Sequence, residues 1–263
     1  MTESPYLLDN RQEEAGDRFT ALAALYDPVT TRHFDALGLA EGWRCLEVGA
    51  GGGSVVRHLS ARVGPTGRVL ATDIEPRFLE PLRDLGNVDV ARHDVVVDPL
   101  PEGEFDLIHA RLVLVHVPER LEAIRRLVKA LRPGGWLLVE DADATLSQPC
   151  LDPQTDDERL ANRVRAGLTE MLGVRGVDVT FARRLPRLLQ EAGLVDVAAE
   201  ACLPLADGVR LLERANVLQL QDMFLEEQIV TKEELEHYLI RLEDPTFLLA
   251  GIFLMSVWGR TPG

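Results

Sequence analysis

Between residues 11 and 35 the apolar side chains Phe19, Leu22, Ala23, Leu25 and Tyr26 recur at helical spacing. Asp27-Pro28 predicts a break there, because proline has no N–H for the preceding turn, and a second helix over 29–37. Residues 1–10 read as a frayed end. Beyond Gly38 and Gly42 the period changes. Short apolar runs at 45–49, 68–72, 88–92, 105–109 and 136–140 predict strands, and helical patterns at 52–63, 76–85 and 119–131 separate them. Gly64-Pro65-Thr66-Gly67 and the loop 99–103 supply turns, Pro118 marks a helix start and Pro133-Gly134-Gly135 a helix stop. This alternation predicts a mainly parallel sheet with helices on both faces.

After Glu140 the rhythm is different. Helices are predicted over 156–172 and 182–192, a strand over 195–201, and two helices within 208–243. Thr231-Lys232-Glu233-Glu234 has the form of a capping box at the start of the second. The longest apolar run, 247–258, is interrupted by Gly251 and Ser256 and is too short to span a bilayer, so it predicts a closing buried strand. Three pieces lie outside the alternating unit: 1–40, 142–181 and 204–245.

One stretch organises the rest. The first strand carries Glu47 and then breaks into four glycines within the five residues 49–53, with the helical positions Val55, Val56 and Leu59 directly after. Glycine permits positive φ, and its missing Cβ lets a ligand approach the backbone. The dinucleotide fingerprint G-x-G-x-x-G/A, begun at Gly49, meets Ser54 at its sixth position. The form that stands here is Glu47-x-Gly49-x-Gly51-x-Gly53.

Composition narrows the partners. The chain has 263 residues, 46% of them hydrophobic, enough for a sizeable core. Its net charge of −15 repels phosphate backbones, which argues against nucleic acid. Cys45, Cys150 and Cys202 are widely spaced, with no zinc or disulfide pattern, and residues 1–18 lack an apolar signal core. A cytoplasmic protein with no membrane attachment is expected.

Further positions agree with the glycine turn. Asp73 ends the second strand and Ile74 follows it; His93-Asp94-Val95 follows the third; residues 105–110 and 131–137 fill the next two strand positions in order. On these motifs residues 43–141 resemble the class I S-adenosylmethionine-dependent methyltransferases, in the style of small-molecule enzymes of actinobacterial secondary metabolism, including antibiotic biosynthesis. The resemblance implies an α/β fold: a doubly wound, seven-stranded, mostly parallel sheet with the last strand antiparallel. It also implies a helical lid (1–40) and a methyltransferase domain (41–263) carrying cap insertions near 142–181 and 204–245. The implied donor is S-adenosyl-L-methionine, leaving S-adenosyl-L-homocysteine, with no metal.

The same resemblance implies donor contacts from Glu47, Gly49, Gly51, Gly53, Asp73, Ile74, His93, Asp94, Val95, Ala110, Arg111 and Tyr26. Asp73 would accept from the ribose hydroxyls, Ile74 would pack on the adenine, and Asp94 would meet its amino group. Each has a plainer reading: helix cap for Asp73, turn cap for Asp94, salt bridge for Glu47, core aromatic for Tyr26. Methyl transfer needs alignment and exclusion of water more than a base. The candidate catalytic residues are His109, His116 and Tyr26. The two histidines lie on one side if their segment is helical, and His116 could equally bond backbone near a helix start. Asp141 and Asp143 follow the fifth strand and are expected to face the acceptor. With Asn216, Gln219 and Met223 they form the candidate substrate set. The helix over 208–228 reads as core packing more often than as a substrate face; the insert that carries it would roof a cavity at the strands' carboxyl ends, and its Leu, Met and Phe suit a homodimer face equally. A small organic acceptor is expected. Two rivals stand: a protein of this fold that binds the donor without transfer, as a cyclase or partner-binding protein, and a nicotinamide-dependent oxidoreductase.

Overall fold

The structure is a computed structural model that describes residues 7–8 and 15–263. The frayed end expected over 1–10 lies mostly outside the described residues, as do 11–14 of the predicted first helix. The chain divides into two compact units, each described by itself.

The first unit comprises Tyr26–Ala142, Phe181–Cys202 and Leu254–Gly263. Its seven strands are β1 (Arg44–Val48), β2 (Arg68–Asp73), β3 (Val88–Arg92), β4 (Phe105–Arg111), β5 (Leu131–Ala142), β6 (Val195–Cys202) and β7 (Leu254–Arg260). Their order is β3-β2-β1-β4-β5-β7-β6. The first five are parallel and β7 runs antiparallel to both neighbours, as expected. The order reverses between β1 and β4, the place where a doubly wound sheet opens a crevice at its carboxyl edge.

Its helices are the part of α1 (Ala15–Ala36) from Tyr26 on, then α2 (Ser54–Val63), α3 (Arg120–Ala130) and α5 (Leu185–Glu191), with α4 belonging to the other unit. Right-handed crossovers place the β1–β2 helix and the β4–β5 helix on opposite faces. One face packs Phe34 of α1 and Val56 and Leu59 of α2 against Cys45, Val69, Leu107 and Leu138, alternate strand positions that are all buried. Period-two patterning therefore carries the core, as it should for strands.

The second unit holds the residues up to Leu25, Asp143–Thr180 and Leu203–Phe253. It contains α4 (Asp156–Val174), α6 (Asp207–Glu226) and α7 (Lys232–Arg241). Thr155 and Thr231 both form complete capping boxes, the second one predicted. Inside it Arg165 pairs with Glu213, whose Oε2 also accepts from the Tyr238 hydroxyl at 3.3 Å. Both members of that pair are buried, so removing one leaves a charge without its partner, a loss of about 3–5 kcal/mol.

Two expectations need correction, and a third is refined. Pro28 does not break α1, which continues through it as one helix. The missing hydrogen bond is outweighed by burial of Tyr26, Thr30 and Phe34 around it, all fully enclosed. The helix expected over 76–85 is present and is of the 3-10 type (Pro76–Asp84), with Pro81 inside it. The closing strand begins at Leu254. In the run before it Phe247, Leu249 and Ala250 are buried in the helical unit, so apolarity there reports burial and not strand. Among the described residues no helix is long and apolar enough to cross a membrane.

Candidate functional site

The glycine turn sits at the carboxyl end of β1. Gly49, Gly51 and Gly53 all hold positive φ, 63°, 51° and 76°, as the spacing of the motif requires. The missing Cβ atoms serve the protein's own packing at two of them. A Cβ on Gly49 would lie 2.3 Å from Val113 Cγ2, and one on Gly53 would lie 2.5 Å from Leu82 Cδ1.

Asp73, the last residue of β2, closes the turn. Its Oδ2 accepts from the Gly51 N–H at 2.9 Å and its Oδ1 from the Glu75 N–H at 2.9 Å. It is therefore no simple helix cap, because it ties the ends of β1 and β2 together. Burial pushes its carboxyl above the ordinary range, and the backbone N–H groups pull it back. Ile74 beside it is exposed. The His93 backbone N–H donates to Asp73 O at 3.0 Å, so the end of β3 joins the same edge. Both ring nitrogens of His93 are enclosed and have no hydrogen-bond partner among the described residues. Asp94 caps its own turn, Oδ1 accepting from the Val96 N–H at 2.8 Å, and Val95 is buried in the core. The plainer reading of Asp94 thus describes its present bonds.

Beyond β4 the chain turns sharply. Ala110 is buried, and Leu112 holds φ 57°, a left-handed conformation that costs a residue with a Cβ roughly 1–2 kcal/mol. The Arg111 guanidinium reaches α1, donating to Asp27 Oδ1 at 2.8 Å and Thr30 Oγ1 at 2.9 Å. Asp27 Oδ1 also accepts from Ser54 Oγ at 3.2 Å. Tyr26 is fully buried. His116 ends a short 3-10 turn, Leu114–His116, and is half-buried. His109 lies inside β4, so the helical segment that would put both histidines on one side does not exist.

His109 is also corrected as a catalytic candidate. It is completely buried with both ring nitrogens engaged: Nδ1 lies 2.7 Å from Glu47 Oε2 and Nε2 lies 3.2 Å from Glu140 Oε2. It has no face for an acceptor. Burial alone would lower its pKa; the charge of Glu47 and the bonds to both carboxylates overcome this and push it up to about 9. Glu140, buried too, is held well below the usual carboxylate range by His109 and His33 against the opposing effect of burial. Glu47 answers to burial first and is pushed up.

Asp141 and Asp143 do not face an open acceptor space. Both are fully enclosed. Asp141 Oδ2 accepts from the Val115 N–H at 3.1 Å, while its Oδ1 is buried without a partner. Burial pushes this carboxyl up to about 7. Asp143 belongs to the helical unit and caps the turn Ala144–Leu146, accepting from the Thr145 N–H at 3.1 Å. The same unit holds Asn216, Gln219 and Met223 on α6. Gln219 pairs with Arg18, Met223 Sδ lies 3.4 Å from Arg175 Nη2, and Asn216 Oδ1 is buried with no partner. Sequence reasoning missed Asp27, Thr30 and His33. Their spacing of three puts them on one side of the helix, and was the available signal. Among the described residues no group of three or more His, Cys, Asp or Glu is arranged to hold a metal ion.

A sequence profile described as a methyltransferase domain matches residues 9–199. The chain belongs to this methyltransferase domain family. With the glycine turn and sheet order, it is of the class I S-adenosylmethionine-dependent type. The methyltransferase domain is 37% identical over 109 residues to a ubiquinone/menaquinone biosynthesis C-methyltransferase UbiE of Pseudomonas aeruginosa, covering 39% of this chain and 43% of that one. It is 31% identical over 153 residues to the methyltransferase str3 of Strobilurus tenacellus, covering 57% and 52%. The match thus spans about half the length of these relatives. In fold it is similar to a Haemonchus contortus phosphoethanolamine N-methyltransferase 2 solved with phosphomonomethylethanolamine and S-adenosylhomocysteine. The TM-score is 0.63 and the identity 16%, over 98% of this chain and 60% of that one.

Proposed function

We propose that this methyltransferase domain transfers a methyl group from S-adenosyl-L-methionine to a small, hydrophobic organic acceptor of the secondary-metabolite kind. The observation that carries the donor assignment is the Asp73–Gly51 hydrogen bond, which assembles the acidic end of β2 and the glycine turn into one edge at the point where strand order reverses. The residues present fit the donor. Asp73 retains free lone pairs beside the turn, Ile74 is exposed next to it, and the His93 ring has two unpartnered nitrogens at the same edge. When bound, the donor supplies an electrophilic sulfonium methyl. Asp73 would accept from its ribose hydroxyls, Ile74 would cover the adenine, and Glu47 beneath the turn would balance its cationic end. The curated relatives named above support the transfer reading. The protein's partners in this reading are the acceptor and the donor alone, without nucleic acid, in a cytoplasmic monomer or homodimer.

The test is incubation with methyl-labelled donor and a panel of quinone-precursor, aromatic and polyketide-like acceptors, beside calorimetry with S-adenosylhomocysteine. Labelled product from at least one acceptor is the expected result. Homocysteine-adduct binding without product across the panel would move the assignment to a donor-binding protein that transfers nothing. Absence of binding would remove the donor assignment, and a nicotinamide absorbance change would revive the oxidoreductase.

A further inference from the structure

A row of polar residues crosses five strands of the sheet on the face that α1 covers. Glu47 on β1 is the registered neighbour of His109 on β4. Glu140 on β5 lies two residues beyond Leu138, the neighbour of His109. Ser256 on β7 is paired with Glu140, and Glu200 on β6 with Ser256. Side chains join the row end to end. His109 bridges Glu47 and Glu140; Ser256 Oγ donates to Glu140 Oε1 at 2.6 Å; His33 of α1 lies 3.2 Å from Glu140 Oε1 and 3.3 Å from Glu200 Oε2. Thr30 donates to Glu140 as well, and Arg32 grips Glu200 at the exposed end. The ring of Phe34 stands edge-on to His109 at 5.2 Å and excludes water.

A buried row of charges weakens a fold more often than it strengthens it, compared with apolar residues of the same volume. This one ends at Glu47, two residues before the glycine turn begins at Gly49. Only Oε2 of Glu47 is engaged, by His109, so the other oxygen has no protein partner among the described residues. We propose that His109 is a positioning residue for the donor. Its imidazolium, bonded to Glu47 and Glu140 at once, favours the ionised form of Glu47 against the effect of burial and fixes that side chain at the end of β1, so affinity for a ligand with a cationic end falls when His109 loses its proton. The inference rests on the donor reading above.

The charged and titratable groups around His109 are Glu47 on β1, Arg111 on its own strand, Glu140 on β5 and His33 on α1, with Glu200 and Arg32 beyond His33. Two carboxylates face the imidazole directly. One positive charge between them offsets part of the rise that burial gives Glu47 and, with His33, outweighs it at Glu140. The raised His109 pKa agrees with that arrangement. Linkage makes the effect reciprocal: a ligand that prefers the protonated form must raise the pH at which His109 loses its proton.

The experiment measures S-adenosylhomocysteine affinity by calorimetry from pH 6 to pH 10 for the native chain and for His109→Gln. The ligand's own amine titrates in both, so the ratio of the two affinities is the readout. The native chain should bind about tenfold more tightly at pH 7, with the ratio closing toward one as His109 deprotonates. A ratio that stays constant with pH assigns His109 to packing alone and overturns the proposal. If His109→Gln does not fold, NMR titration of the His109 ring in the native chain decides instead. The ligand should move its midpoint up by about one pH unit, the equivalent of a tenfold preference. An unmoved midpoint with the ligand bound overturns the proposal and leaves the donor assignment intact. Failure of the native chain to bind at any pH removes both.

Discussion

Replacing Asp73 by alanine separates two things the carboxylate does. It holds the backbone N–H groups of Gly51 and Glu75, each at 2.9 Å, in a largely buried setting. Hydrogen bonds to a charged acceptor contribute about 1.5–3 kcal/mol each, so the gross loss is roughly 3–6 kcal/mol. Against that stands the cost of burying the charge, which is visible in the upward shift of the carboxyl. The net destabilisation expected for Asp73→Ala is therefore about 2 kcal/mol. For a chain of this length that lowers Tm by about 4–8 °C. Asp73→Asn keeps one acceptor oxygen and should lose about half as much. S-Adenosylhomocysteine affinity should fall by about 1–3 kcal/mol in both variants, since neither retains the charged acceptor for the ribose. Thermal unfolding by circular dichroism gives the first quantity and calorimetry the second. An alanine variant with unchanged Tm would show that the Gly51 contact does not hold the turn. Unchanged affinity in a folded variant would sink the donor assignment.

Two further outcomes test the local physics. Gly49→Ala should destabilise more than Gly134→Ala by over about 1 kcal/mol in denaturant unfolding. Both sit at positive φ, but only at Gly49 would the new methyl meet a side chain, Val113 at 2.3 Å, whereas nothing lies within 4 Å of Gly134. Equal losses would mean that Val113 moves aside without cost. Asp141 is raised from 3.8 to about 7, so the folded chain holds a proton there that the unfolded chain has released. Its contribution to stability is favourable below pH 4 and is lost as pH rises toward 7, by about 1.4 kcal/mol per unit at most. Asp141→Asn carries no ionisable group, so its stability relative to the native chain should improve across that window. Parallel pH curves for the two proteins would refute the assignment.

The sequence pattern disclosed the sheet because strand and helix differ in period, and Asp73 and the glycine turn because their roles depend on near neighbours in sequence. The donor edge is a set of strand ends, each with its own local signature. Pro28 was misread for the same reason that the turn was read well. The rule against proline in a helix is local, and what overrides it, the enclosed side chains of Tyr26, Thr30 and Phe34, is not. The run before Leu254 shows a second limit: Leu249 and Ala250 are as buried as any strand residue, and hydrophobicity alone does not say in which conformation.

The polar row makes the same point about function. Nothing near Glu140 in the chain announces that it will meet a histidine 31 residues back and another 107 residues back. Each partner alone has an ordinary reading: Glu140 as the end of a strand, His33 as a helix residue, His109 as a base. β-sheet register brings Glu140 and His109 onto one face, and the packing of α1 on that face adds His33, all between elements far apart in sequence. A catalytic base must keep one nitrogen free for its substrate, whereas His109 gives up both. The geometry that removes it from the list of bases is therefore the same geometry that lets it govern Glu47. In this domain His109, raised by its two carboxylates against burial, and Asp141, raised by burial itself, both lie enclosed in the fold.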